Sequence, residues 1–138
     1  MITGYGLVCL WVFDQDEAYD FYVGKLGFDV TFQQEMDGVR WLLVNPPGAP
    51  ELPLALNVPG PPVMDEETAA AVRKLVSIGY AGGPGAFKTD DCWKSYAELK
   101  ARGVEFIGEP EETFYGIDVA FRDPFGNHWR LTQVKPRD

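Results

Sequence analysis

The stretch Arg122-Asp123-Pro124-Phe125-Gly126-Asn127-His128-Trp129-Arg130-Leu131 decides how this chain folds. Asp-Pro-x-Gly is turn chemistry: proline presets φ at the second turn position, and glycine accepts a positive φ near its end. Ile117 to Phe121 runs into it and His128 to Thr132 runs out, and both alternate as half-buried strands do. The stretch therefore predicts a β-hairpin. The same punctuation stands earlier, where Val39 to Val44 leads into Asn45-Pro46-Pro47-Gly48 and a second apolar strand, Leu52 to Val58, follows.

Outward from these turns, each half of the chain gives the same order of elements. Gly6 to Val12 is a continuous apolar strand, and Asp14 with Glu17 forms a capping box for a helix. Ala18, Phe21, Tyr22 and Leu26 recur at helical spacing and predict its buried face; Gly27 closes it. Phe28 to Phe32 alternates, and Asp37-Gly38 marks a hairpin. Gly82-Gly83-Pro84-Gly85 opens the second half, with a strand at Ala86 to Thr89 and a helix from Asp90-Asp91 to Gly103 carrying Trp93, Tyr96 and Leu99. Val104 to Phe106 is a strand, Glu109 to Glu112 a predicted loop, and the opening hairpin completes the order β-α-β-β-β.

Spacing ties the halves together. Asp14 to Gly27 spans as many residues as Asp90 to Gly103, and Gly27-Phe28-Asp29-Val30 matches Gly103-Val104-Glu105-Phe106 as glycine, apolar, acid, apolar. The helix faces fit less well, since Phe21 and Tyr22 fall opposite Ala97 and Glu98. This reading makes residues 1–138 one domain: module one at 1–58, a linker helix within 59–79, and module two at 80–138. In the linker, Pro59-Gly60-Pro61-Pro62 breaks the chain. Asp65 then caps a helix to about Ser77, with Val72, Leu75 and Val76 on one face and Gly79 beyond.

Composition bounds the function. A net charge of −9 argues against nucleic acid, which needs a basic face. No apolar run approaches the roughly 20 residues of a membrane span. Cys9 and Cys92 do not form a disulfide framework, and no secretory signal is apparent, so a cytoplasmic protein is expected.

Three segments together resemble the vicinal oxygen chelate superfamily, which groups glyoxalase I, bleomycin-resistance proteins and extradiol dioxygenases. They are Val12 to Asp16 through Phe21-Tyr22 and Leu26-Gly27-Phe28; Thr89-Asp90-Asp91 through Leu99 to Phe106; and Asp123 to Asn127. The resemblance implies an α+β fold of two βαβββ modules forming a cupped mixed sheet, with helices outside, a ligand cavity inside, and a homodimer. It also implies a divalent metal held by His, Glu or Gln from the first and last strand of each module. Those positions fall on Leu7, on Pro84 or Gly85, on Pro53, Leu54 or Ala55, and on Arg130, none of which ligates a cation. With one histidine in the chain and no His-x-x-x-His or Cys-x-x-Cys spacing, no cofactor is expected, a displaced divalent metal being the alternative.

Alternation sorts the cavity. Leu7 and Trp11 share a face in the first strand, Lys88 faces in from the matching strand, and His128 and Arg130 from the last; Trp129 and Leu131 are core. Either Trp41 with Leu43, or Arg40 with Leu42, adds to the wall. Leu7, Trp11, Trp41, Lys88, His128 and Arg130 are thus the expected ligand-binding set, suited to a partly aromatic small molecule with an anionic group. Each has a structural alternative, and for Arg130 it is an ion pair with Asp118. His128 is the one candidate for acid–base chemistry. The expected function is metal-free binding or sequestration of a small molecule. The alternative is a metal-dependent lyase or extradiol-type dioxygenase with displaced ligands; a third reading is a module for dimerisation or regulation.

Overall fold

Each half of the chain builds a four-stranded mixed sheet. The structure, a computed structural model, describes residues 1–79 and 83–136. In the first half, β1 (Val8–Trp11) is followed by α1 (Gln15–Tyr19), which continues as a π-helical segment (Asp20–Lys25). Then come β2 (Asp29–Met36), β3 (Val39–Asn45) and β4 (Leu54–Asn57). After α2 (Glu66–Ser77), the second half has β5 (Gly85–Lys88), α3 (Cys92–Ala101), β6 (Glu105–Glu112), β7 (Gly116–Arg122) and β8 (His128–Val134). The strand orders are β1-β4-β3-β2 and β5-β8-β7-β6, with the outer pair parallel in each. These are two βαβββ-like modules, as the turn spacing predicts. The chain divides into two compact units, 1–74 and 75–138, so the division falls inside α2.

The turns form as their residues require. Asp37 and Gly38 both take positive φ (54° and 76°), the geometry of a two-residue hairpin whose twist matches its strands. In the turn between β7 and β8, Asp123 Oδ1 accepts from the backbone N–H of Phe125 (2.9 Å) and Asn127 (2.8 Å). Its Oδ2 accepts from Asn127 Nδ2 at 2.7 Å. Gly126, at φ 106°, lies so close to the end of α2 that a Cβ would stand 2.6 Å from the Val76 carbonyl oxygen. Only glycine fits there, for two separate reasons.

Several details differ from the sequence reading. The helix expected to run to Leu26 is α-helical only to Tyr19, and the Leu26 N–H bonds five residues back, to the Phe21 carbonyl. The second helix is capped by Asp91, whose carboxylate accepts from the Lys94 N–H, and not by Asp90. Counted from the true caps, module one holds one residue more before its terminal glycine, and the π segment takes it up. The helix faces then agree in part: Gln15, Ala18 and Tyr22 match Cys92, Ser95 and Leu99, while the buried Phe21 falls opposite the exposed Glu98. Segment 109–112, expected as a loop, continues β6 past a register shift between Ile107 and Glu111, with Gly108 at φ 80°. On α2 the inward residues are Ala69, Val72 and Val76, while Leu75 is exposed one step off that stripe; Trp93 on α3 is likewise half exposed. The last strand of module one is shorter than expected, Leu54–Asn57 in place of Leu52 to Val58. Of the Gly82–Gly85 opening, Gly82 lies outside the described residues.

Apolar packing fills one side of each sheet. In unit one, Leu10, Leu42, Val44, Leu54 and Leu56 are buried, as are Ala18, Phe21 and Tyr22 of the helical segment. In unit two, Phe87 stacks on Trp129 (ring centroids 4.2 Å apart), and Tyr96 of α3 meets Phe106 edge-on at 4.7 Å.

Candidate functional site

Register fixes what the open side of the first sheet presents. Cys9 pairs with Ala55 and Trp11 with Asn57; Leu43 lies opposite Ala55 and Phe32 opposite Leu43; Gln34 pairs with Trp41. Since paired residues share a face, Cys9, Trp11, Phe32, Trp41 and Leu43 stand together, and of the two alternatives it is Trp41 with Leu43 that belongs here. Leu42 is fully buried on the other side. Arg40 is held there as well, its Nη1 2.6 Å from Asp16 Oδ1 and its Nη2 2.7 Å from Gln33 Oε1.

A cavity of about 650 Å³ opens at the end of this face, within residues 1–74. Trp11, Trp41 and Met36 wall it, with Gln15, Asn57 and the segment Pro59–Val63. Gln15 follows the N-cap Asp14, and its Nε2 donates to the backbone carbonyls of Arg40 and Leu56, both at 2.9 Å. Those bonds tie the start of α1 to two strands and fix one corner of the cavity. Leu7 is exposed just ahead of β1 and does not line it.

The open side of the second sheet is polar. Lys88 pairs with Thr132 and Thr132 with Asp118, while Arg122 pairs with His128 and Ala120 with Arg130. Asp118 is buried and organises the group. Arg130 Nε donates to its Oδ2 at 2.6 Å and Nη2 donates to the same oxygen; Tyr115 Oη donates there at 2.9 Å, and Thr132 Oγ1 donates to Oδ1 at 2.9 Å. Burial pushes the Asp118 carboxyl up, but the hydrogen bonds from Arg130, Tyr115 and Thr132, with the arginine charge, outweigh it and hold the group below the usual carboxylate range. The Arg130–Asp118 pair named as the alternative from the sequence is the arrangement found.

The six residues expected to bind ligand thus fall in both units. Leu7, Trp11 and Trp41 belong to residues 1–74, where Trp11 and Trp41 share a cavity; Lys88, His128 and Arg130 belong to residues 75–138. Within the second unit the three have different surroundings. Lys88 borders a separate recess of about 460 Å³ with Thr89, Asp90 and Val134. The His128 ring lies against Gly79, where a Cβ would approach its Cε1 and Nε2 to 3.2 Å. Sequence reading missed Gln15, Met36, Asn57 and Pro59–Val63. The signal available was Gln15 directly after a cap and Asn57 two residues from Ala55 in an otherwise apolar strand.

The donor set at the expected metal positions does not fit a divalent ion. Leu7 has no donor atom, Arg130 brings a positive charge, and both oxygens of the neighbouring Asp118 are engaged. Among the described residues no three His, Cys, Asp or Glu side chains gather as ligands would. Both cysteines are free, Cys9 exposed and Cys92 buried, and burial pushes the Cys92 thiol up. No helix among the described residues is long and apolar enough to cross a membrane.

A sheet order repeated twice, with one open face per module, defines a class, and comparison with known proteins agrees. The family model of the Glyoxalase/Bleomycin resistance protein/Dioxygenase superfamily matches residues 4–131, and the chain belongs to that superfamily. It is 36% identical over 136 residues to an uncharacterised protein of Shewanella frigidimarina (strain NCIMB 400), covering 94% of this chain and 93% of the relative. Among solved structures it is similar to UcmS2, with a TM-score of 0.92 and 36% identity, over 97% of this chain and 100% of that one. It is also similar to TnmS3, an antibiotic binding protein from Streptomyces sp. CB03234, with a TM-score of 0.75 and 33% identity, over 97% and 98% of the two chains.

Proposed function

We propose that this protein binds, and thereby sequesters, a flat and largely apolar small molecule on the open face of module one. The observation that carries the reading is the pair Trp11 and Trp41 walling a cavity of about 650 Å³ at one end of a sheet face. That volume lies within the range of small-molecule sites, roughly 300 to 1,000 Å³, and aromatic walls with few polar groups are their usual lining. The likeness to TnmS3, whose described role is antibiotic binding, supports the same class of activity. Lys88, His128 and Arg130, expected from the sequence to meet an anionic group, belong to residues 75–138 and have no part in this cavity, and the Arg130 charge is met by Asp118. Binding is read as metal-free because the donor set is wrong, and the exposed Leu7 and Phe32 support a homodimer.

Isothermal titration of the purified protein with a panel of planar aromatics tests this. Saturable binding is expected, weakened at least tenfold by Trp41→Ala, the usual scale for removing an aromatic anchor. Uniform absence of binding, or binding indifferent to Trp11 and Trp41, would sink it. Elemental analysis of untagged protein addresses the metal: stoichiometric Fe, Mn, Ni or Zn would return the lyase or dioxygenase reading. Light scattering decides the dimer.

A further inference from the structure

The polar groups around the module-one cavity point to a charge preference, and this inference rests on the binding reading just given. Both amide hydrogens of Gln15 are committed to the carbonyls of Arg40 and Leu56, so what it has left to offer a ligand is a carbonyl oxygen, an acceptor. Arg40, the one basic residue on the lining, has its guanidinium on Asp16 and Gln33. The other charged lining residues, Asp37 and Glu66, are acids. Glu66 stands 3.9 Å from Arg73 with its side chain 76% exposed, a loose pair that leaves the carboxylate available.

Helix α2 begins at this cavity, and its first turn would by itself favour an anion. Here Asp65 already caps it, accepting from the Thr68 N–H at 2.7 Å, and Glu66 and Glu67 follow. Asp16, Asp37, Asp65, Glu66 and Glu67 therefore stand against Arg40 and Arg73 in this part of the molecule. Trp11 and Trp41 line the same cavity as Asp37 and Glu66, and an indole face attracts a cation through the ring quadrupole.

We propose that the module-one cavity selects aromatic ligands carrying a protonated amine, with Trp11 and Trp41 taking the ring system and Glu66, Asp37 and the Gln15 carbonyl facing the ammonium group. The hint of an anionic ligand came from Lys88 and Arg130, which belong to the other unit. Lys88 borders its own recess, and Arg130 is engaged with Asp118.

The test uses three planar tricyclic probes of similar size, titrated calorimetrically into the intact protein: anthracenemethylamine as its ammonium ion, neutral anthracenemethanol and anthracenecarboxylate. The cation is expected to bind about tenfold more tightly than the anion, a gap that narrows as salt rises through the screening range. Glu66→Gln and Asp37→Asn, both at exposed positions, are each expected to weaken the cation about threefold and leave the neutral probe unchanged. Equal or tighter binding of the anion, or indifference of the cation to both variants, overturns the charge preference. If the neutral or anionic probe still binds in a Trp41-dependent way, the binding reading survives that result. Failure of all three probes removes both.

Discussion

The two sheets share a strand order and differ in what their open faces do. In module two that face is engaged internally: Asp118 collects Arg130, Thr132 and Tyr115, so its charges are matched within the fold. In module one the equivalent face carries Trp11, Phe32, Trp41 and Leu43, and Trp11 and Trp41 line a cavity at its end. Phe32 and Trp41 are each 39% exposed on that face. On the binding reading proposed above, the polar network serves stability and the aromatic face recognition.

Substitutions can break this contrast, beginning with the largest effect. Leu42→Ala should cost about 3 kcal/mol in urea unfolding, as truncations of fully buried leucines do. Its neighbour Trp41, 39% exposed, should cost under about 1 kcal/mol when changed to alanine while affecting ligand binding most. Equal losses at the two positions would mean that the open face of module one is structural after all. Asp118→Ala should cost about 2 kcal/mol, because it leaves three donors without their acceptor; the half-exposed Arg130 side chain limits the loss. Arg130→Met should cost about 1 kcal/mol, since Thr132 and Tyr115 still satisfy the carboxylate.

Acid offers a subtler check. The Asp118 carboxyl titrates lower in the folded protein than its ordinary 3.8, so its contribution is complete above that value and is lost as pH falls through the lower folded value. The stability gap between wild type and Asp118→Asn should therefore shrink on acidification below about 3.8 and stay constant above it. A gap that widened in acid would show that the network does not favour the ionised form.

Turn residues made the architecture readable before any coordinates. Asp37-Gly38, Gly27, Gly103 and the Asp123 turn each require a particular backbone, so their positions mark element ends almost without ambiguity. Burial was less readable where strand and bulge compete: Pro110 and its acidic neighbours look like a loop, yet the register shift in β6 keeps them in the sheet. The aromatic half of the candidate site was legible too, because alternation puts Trp11 and Trp41 on one side or the other, and only the pairing partner was needed to choose. Gln15 and the Pro59–Val63 wall were not. They join Trp41 around the cavity only in the folded chain, which leaves no periodic trace in the sequence. Arg130 shows the reverse case, since its sequence neighbours say nothing of whether it faces a ligand or an acid across the ladder.

The π-helical segment of module one has a consequence for how this fold tolerates length change. It stores one residue more than α3 between cap and closing glycine, and Gly24 within it faces open space. Removing Gly24 should let Asp20–Lys25 rewind as ordinary α-helix, keep Phe21 and Tyr22 inward, and deliver the chain to β2 as α3 delivers it to β6. The same deletion inside α3 has no surplus to draw on and would pull its register apart. A one-residue deletion is thus a permitted move in one module and a forbidden one in the other.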